Sequence, residues 1–369
     1  MVRTGETARV GVLGSHGEVG RQVAALLRAS GHVVNCGNRS HHTSDERTAI
    51  VDAHDEESVN KFSRDLDVVV NCAGPSCLLK TSVASALPDS VGYIDPFGAN
   101  SFDNYPTNRP CVVNAGATPG LSGLLLRHLA GLIDDCQSVT LCTGGRDRGG
   151  LSGLVDVVLS THNSYGHPGK MIVDGDLVAY QPGSIHAEDL EPFPSDDGLI
   201  ASPFVTNELR KVAQDFSIPR LIGVTAIPDR DTQQLLLRAL SQTDISDPTT
   251  LMNLCADIAA AKTKLDAGKN HWFAIQATVH GTLRGRPVRV SGSVHAPDST
   301  FITALFVAEA TKSVIRDELL TGPKWGYELP APQTVLSSLA SYNVDIKIVG
   351  PTATTDAPQW SDDDDAGFI

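Results

Sequence analysis

Apolar and polar positions along the first third of the chain repeat one rhythm: a short apolar run, a turn, then a helical stripe. The runs at 10–13, 32–36, 49–52, 68–72, 92–95 and 111–115 read as six strands. Between them, residues 19–30 put Val23, Leu26 and Leu27 on one helical stripe, and 57–64 and 76–87 read as further crossover helices. Strand and helix in regular alternation predict stacked βαβ units around a parallel sheet. After Leu132 the rhythm stops. Gly144-Gly145 and Gly149-Gly150 read as a glycine-rich loop, and a proline-rich stretch covers 182–203. Phe273, Ile275, Ala277 and Val279 then alternate with Ala274, Gln276, Thr278 and His280, and Val288 and Val290 continue the pattern beyond Arg284-Gly285-Arg286. This predicts a hairpin in an antiparallel sheet with one wet face. A long amphipathic helix is expected over 299–320, with Leu305, Ala308, Val314 and Ile315 on its apolar side, and a closing helix and strand over 333–348.

The first run ends in Gly14-Ser15-His16-Gly17-Glu18-Val19-Gly20, and a helix follows at once. Glycines at that place let the chain turn tightly and let backbone N–H groups approach a pyrophosphate, with the helix N-terminus adding positive potential. The spacing is GxxGxxG, and its position between a strand and a helix points to a dinucleotide-binding Rossmann domain. His16 reads as an exposed residue of that loop. NAD-binding domains place a carboxylate after the second strand to accept the ribose 2′-OH. Here Gly37-Asn38-Arg39-Ser40 stands there instead. Arg39 offers a planar cation to a 2′-phosphate, with Asn38 and Ser40 as further donors, so NADP(H) is the expected cofactor. Asp52 ends the third run, where it could meet the adenine amine.

Composition narrows the partners. The formal charge of −14 leaves no concentrated basic surface for nucleic acid. No apolar run approaches the ~20 residues that cross a bilayer. The opening residues carry no apolar signal core, and the seven cysteines match neither a disulfide framework nor a CxxC metal pair. A cytoplasmic protein without a metal is expected. Residues 351–369, with Asp362 to Asp365, read as a flexible acidic tail.

Several ordered pieces resemble the saccharopine dehydrogenase-like family of NADP-binding oxidoreductases. They are Val12-Leu13-Gly14 through Gly20-Arg21, Gly37-Asn38-Arg39, Asp67-Val68-Val69-Val70-Asn71-Cys72-Ala73-Gly74-Pro75, Gly92-Tyr93-Ile94-Asp95 and Asn114-Ala115-Gly116-Ala117-Thr118-Pro119-Gly120. The resemblance spans about the first 145 residues. It implies that Ala73, Gly74 and Pro75 border the nicotinamide ribose and that the helix start at Pro119-Gly120 closes the cofactor cleft. It also implies that Leu320-Thr321-Gly322 and Trp325-Gly326-Tyr327 return the chain to the first domain, making the second domain an insertion. Cys142-Thr143-Gly144-Gly145 resembles the family's entry into that domain, but Thr143 interrupts the match and Arg146-Asp147 follows where the family has Leu-Pro.

The expected architecture is therefore α/β: a doubly wound parallel sheet with an inserted α+β domain. Residues 1–133 form the NADP-binding domain, 134–298 a substrate and dimerisation domain, and 299–350 a helix and strand that return to the first. No tyrosine has a lysine four residues on, which disfavours the short-chain dehydrogenase pattern, and no His or Cys spacing suits zinc. Arg146, Asp147 and Arg148, ahead of a helical stretch at 151–160, are candidates for holding a substrate carboxylate. His162 and Tyr165 are candidate proton donors, and Cys72 and Cys142 are assigned no nucleophilic work. These readings predict hydride transfer to or from a C=N/C–N bond of a small polar substrate, by a homodimer. Carbonyl or enoyl reduction, and a catalytically silent NADP-binding regulator, are the alternatives.

Overall fold

A computed structural model describes residues 7–40, 48–98, 101–147, 166–190, 193–194, 198–241, 247–316, 318–319 and 321–354. Strands β1 (Arg9–Leu13), β2 (Val33–Asn38), β3 (Thr48–Ile50), β4 (Val68–Asn71), β5 (Gly92–Ile94) and β6 (Pro110–Val113) lie in one parallel sheet, ordered β6-β5-β4-β1-β2-β3. Both faces are covered, which is why the central strands are nearly continuous valine: Val10, Val12, Val68, Val69 and Val70 are all buried. Helix α1 (Glu18–Ala29) and the helix Ser299–Ile315 pack together on one face. Helix α2 (Glu56–Ser63) lies on the other. There a Cβ at Gly11 would meet Leu66 and the Phe62 ring, and one at Gly37 would meet Leu13, with Val51 and Phe62 close behind, which explains glycine at two interior strand positions.

The second sheet contains β7 (Asp135–Arg146), β8 (Gly166–Pro168), β9 (Lys170–Val173), β10 (Asp176–Ala179), β11 (Ile200–Thr206), β12 (Arg220–Ile227), β13 (Trp272–Leu283) and β14 (Arg286–Ala296). The strand β15 (Gly322–Trp325) instead returns to the first sheet, pairing in parallel with β6 as its seventh strand. The last strand, β16 (Asp345–Ala353), pairs antiparallel with β14. The second sheet is ordered β10-β9-β12-β7-β13-β14-β16, with β11 on β12 and β8 on β11; β7 and β12 are parallel and the other pairs antiparallel.

Helices α3 (Ser76–Leu79) and α4 (Ser82–Ala86) follow β4, and helix α5 (Leu121–Ala130) follows β6. Leu121, Leu124, Leu125, Leu126 and Leu129 of α5 are all buried, because the helix lies against β7, β13 and β14 as well as the helix Pro332–Ala340. Each such leucine stabilises the joint by about 2 kcal/mol. One hydrophobic core runs through both sheets.

The structure departs from the sequence reading at definite places. The expected helix over 76–87 is two short helices, broken where Lys80 takes φ 49°. The sixth strand stops before Asn114, at φ 52°, and the third before Asp52. The long helix ends at Ile315. Gly144-Gly145 is no loop: both glycines lie inside β7, where a Cβ would overlap the carbonyl oxygens of Ala226 and Trp272 on the flanking strands. The expected wet face of the hairpin is largely buried, with Gln276 5 % and Thr278 0 % exposed, and Ala274 packed beside Cys142, Met171 and Phe193. Its turn carries positive φ at Arg284 (53°) and Gly285 (72°), the type I′ geometry that suits strand twist. The closing strand was expected on the first domain and joins the second sheet instead. Residues 351–353, assigned to the tail, belong to that strand, and 355–369 lie outside the described residues.

Candidate functional site

The strand order reverses between β4 and β1, the position at which parallel sheets of this kind bind ligands beyond their C-terminal ends. The loop after β1 is locked from three directions. Gly14 donates its N–H to Gly37 O at 2.8 Å and takes φ 70°. A Cβ there would stand 2.5 Å from Cys72 O and 2.6 Å from Ala73 N, so the turn touches the end of β4. Gly17 N–H donates back to Gly14 O at 2.9 Å, and Gly20, in the first turn of α1, is buried against that same oxygen, which a Cβ would overlap. Two glycines thus close the loop onto its helix. Gly17 is exposed and is the N-cap of α1, with no side-chain cap bond, so the first turn of α1 presents uncapped N–H groups at the sheet edge. Val19 is half buried and Glu18 exposed.

Asn38 belongs to the loop itself. Its Oδ1 accepts His16 N–H at 2.8 Å and its Nδ2 donates to the buried Ser15 Oγ at 2.7 Å. Its side chain is therefore committed to holding the loop, which corrects its expected part as a donor to a 2′-phosphate; Ser15 is likewise an internal partner. Arg39 and Ser40 follow β2 and are exposed. Arg39 makes no hydrogen bond or ion pair to a described residue, and no described carboxylate stands in the run Gly37-Asn38-Arg39-Ser40 that ends β2. Asp52 follows β3 and is exposed; its Oδ1 accepts His54 N–H at 3.0 Å inside its own turn.

Across the crossover, Cys72 N–H donates to Leu13 O at 2.9 Å, and the turn Ala73-Gly74-Pro75 leaves the sheet through a cis Gly74-Pro75 bond. Ala73 and Gly74 are half buried. The segment after β6 turns back on itself: Gly116 N–H meets Pro119 O at 3.1 Å, and Gly120 takes φ 129° before α5 begins. Ala117 N–H donates to Thr303 Oγ1 at 3.1 Å, anchoring this turn to the helix Ser299–Ile315. Pro119 is half buried and Thr118 exposed on the same edge.

Arg146 ends β7 and is 5 % exposed. Its Nη2 lies 3.1 Å from Asp229 Oδ2 and its Nε 3.6 Å from Asp266 Oδ1. Lys269 pairs with Asp229 at 3.0 Å, and Lys262 pairs with Asp266 and donates to Asp147 O. Burial pushes the Asp229 carboxyl up, but hydrogen bonds from Thr232, Lys269 and Arg146 outweigh it and hold the group well below the usual carboxylate range. A guanidinium enclosed by two carboxylates is structural, which corrects the expectation that Arg146 holds a substrate carboxylate. Asp298 caps the helix Ser299–Ile315 by accepting Phe301 N–H, and Asp147 accepts the Ser299 N–H at 2.9 Å, one turn before Thr303. Through this last bond and that from Ala117 to Thr303 the exit from β7 is tied to the turn at Ala117. Arg148, His162 and Tyr165 lie outside the described residues.

Asp229 and Asp266 were not singled out from the sequence, and neither were the buried carboxylates Asp95 and Glu208. Asp95, past β5, bonds Tyr93, Asn71 and Phe97; Glu208, in the second domain, bonds the first turn of α5. Asp95 ends the Gly92 to Asp95 motif, a signal that was available; Glu208 stands on an amphipathic helix with none. Burial drives the Cys72 and Cys142 thiols far above their ordinary value, so neither is a nucleophile. Among the described residues no group of three His, Cys, Asp or Glu is arranged to hold a metal ion, and no helix is long and apolar enough to cross a membrane.

No protein-family model matches the chain, and no curated protein matches it. Solved structures do. A meso-DAP dehydrogenase mutant from Clostridium tetani, with DAP, is 12% identical over 90% of this chain and 96% of that one, with a TM-score of 0.49. The C. glutamicum DAP dehydrogenase in complex with DAP is 13% identical over 91% and 98%, at 0.45. An engineered D-amino acid dehydrogenase bound to NADP+ is 12% identical over 91% and 99%, at 0.46.

Proposed function

We propose that this chain is an NADP(H)-dependent oxidoreductase that transfers a hydride to or from a carbon–nitrogen bond of a small polar substrate. The observation that carries the cofactor reading is the pairing at the ends of β1 and β2. An uncapped helix N-terminus stands behind Gly14 to Gly20, and the exposed Arg39 stands where a ribose-binding carboxylate is otherwise needed. The donors fit the group: the first turn of α1 would receive the pyrophosphate, and Arg39 with Ser40 the 2′-phosphate. When bound, the nicotinamide supplies or accepts the hydride.

The chain's own part is orientation. With Arg39 and Ser40 past β2 receiving the adenosine half, the turns 73–75 and 116–120 past β4 and β6 would border the nicotinamide half. The segment 148–165 departs from Asp147, which is tied through Ser299 and Thr303 to the second of those turns. Tyr165 and His162 are the candidate proton donors and Arg148 a candidate for the substrate carboxylate, all three in the segment outside the described residues. The carbon–nitrogen bond rests on the saccharopine dehydrogenase-like resemblance of the first 145 residues. A cytoplasmic homodimer completes the reading.

The test is direct. NADPH and NADH binding are compared by fluorescence titration for the wild type and Arg39→Ala. The wild type prefers NADPH, and removing one exposed charge-assisted contact costs about 1.5 kcal/mol, roughly tenfold, for NADPH alone. Equal affinities for the two cofactors overturn the assignment. Oxidation of NADPH in mixtures of keto acids or aldehydes with amines, lost in Tyr165→Phe or His162→Gln, tests the chemistry; no turnover across the panel favours the silent regulator.

A further inference from the structure

The ends of β4 and β5 are joined by a buried polar cluster that the cofactor donors leave unexplained. Asp95 is 1 % exposed. Its Oδ2 accepts the Tyr93 hydroxyl at 2.7 Å and Asn71 Nδ2 at 2.9 Å, while its Oδ1 accepts Phe97 N–H at 2.9 Å. Asn71, itself 1 % exposed, uses its remaining Oδ1 to accept Ala73 N–H at 3.3 Å. The cluster therefore reaches two segments that leave the sheet on the same edge: the turn 73–75 past β4 and the turn 96–98 past β5. A sheet held only by its ladder and its valines does not need this carboxylate. Burial raises its pKa from 3.8 to about 6, a standing desolvation penalty at neutral pH.

The two halves of the cofactor cleft are thus braced separately. On the adenosine side Asn38 holds Ser15 and His16, and Arg39 is exposed with no bond to a described residue. Beyond the crossover, the first wall met is the turn 73–75, with 96–98 beside it.

We propose that Asp95 is a positioning residue for the nicotinamide half of the cofactor, setting the 73–75 turn through Asn71 and the 96–98 turn directly, while leaving the adenosine half untouched. The proposal rests on the NADP(H) reading above, and the experiment separates the two. NADPH and 2′,5′-ADP, which carries only the adenosine half, are titrated calorimetrically into full-length wild type, Asp95→Asn and Tyr93→Phe, with near-UV circular dichroism as the check of fold. In Asp95→Asn the affinity for NADPH falls about tenfold and that for 2′,5′-ADP stays within about twofold, since one buried acceptor set is disrupted beyond the crossover. Tyr93→Phe, which removes one donor and keeps the carboxylate, shows the same selectivity with a loss of about two- to threefold, and it decides the matter if Asp95→Asn does not fold. A merely structural role would lower both ligands together; equal losses, or no loss in either variant, overturn the proposal while leaving NADP(H) binding intact. A wild type that binds neither ligand overturns the cofactor reading itself.

Discussion

Replacing Glu208 by glutamine tests how the two sheets are joined. Glu208 lies in the first turn of the helix Asn207–Asp215 and is 1 % exposed. Its carboxylate crosses into the start of α5, accepting Gly120 N–H at 2.5 Å, the Ser122 hydroxyl at 2.6 Å and the Gly123 N–H. Desolvation outweighs these bonds and raises the pKa from 4.5 to about 7. The native state therefore binds a proton that the unfolded chain has already released. The stability this group supplies is complete below pH 4.5 and lost as the pH rises through about 7, about 3 kcal/mol across the window. Glutamine has no proton to lose. Its carbonyl can keep the Gly120 bond, and Ser122 can rotate to accept from the new amide. Urea unfolding at pH 5, 6, 7 and 8, followed by far-ultraviolet circular dichroism at one ionic strength, measures the difference between the two proteins. Glu208→Gln is close to wild type at pH 5 and gains on it steadily, by up to about 3 kcal/mol at pH 8. Asp95, also raised by burial to about 6, contributes the same slope to both proteins and cancels. A difference that does not change with pH refutes the reasoning.

Other substitutions separate closure of the phosphate loop from its use. Gly20→Ala forces a Cβ onto Gly14 O and is expected to abolish NADPH binding and lower the melting temperature. Gly17→Ala meets only that oxygen, at 3.2 Å, and should fold with a milder loss in the same titration. Arg146→Met removes the cation between Asp229 and Asp266 and lowers unfolding stability by about 3 kcal/mol by chemical denaturation. Unchanged stability with lost turnover would return Arg146 to the substrate site.

The first sheet was legible because a buried parallel strand needs little but apolar residues, and 68–70 or 10–13 can be little else. The second domain was less so. Gly144 and Gly145 carry the composition of a loop, yet their lack of a side chain serves the close approach of β12 and β13, contacts remote in sequence. Gln276 and Thr278 carry the polarity of a wet face, yet they are covered. The closing strand is similar: its apolar alternation was legible only as far as 348, and the free edge of β14, fifty residues earlier, determines where it pairs and carries it on to Ala353.

The site shows the same division more finely. The sequence marks residues able to donate to a phosphate, but a donor already engaged within the fold is not available to a ligand. Asn38 Nδ2 donates to Ser15 Oγ, the His16 N–H is taken by Asn38, and the Gly17 N–H is taken by Gly14 O. What remains toward the cleft is the uncapped first turn of α1, together with Arg39 and Ser40. Arg146 fails as an anion site for a related reason. Its charge is the one most plainly offered by the sequence in the second domain, and the fold surrounds it with Asp229 and Asp266, which lie 83 and 120 residues along the chain. For a charged side chain, the partner decides between structure and function. Arg39, with no such partner among the described residues, is the cation to which the proposed 2′-phosphate contact is assigned.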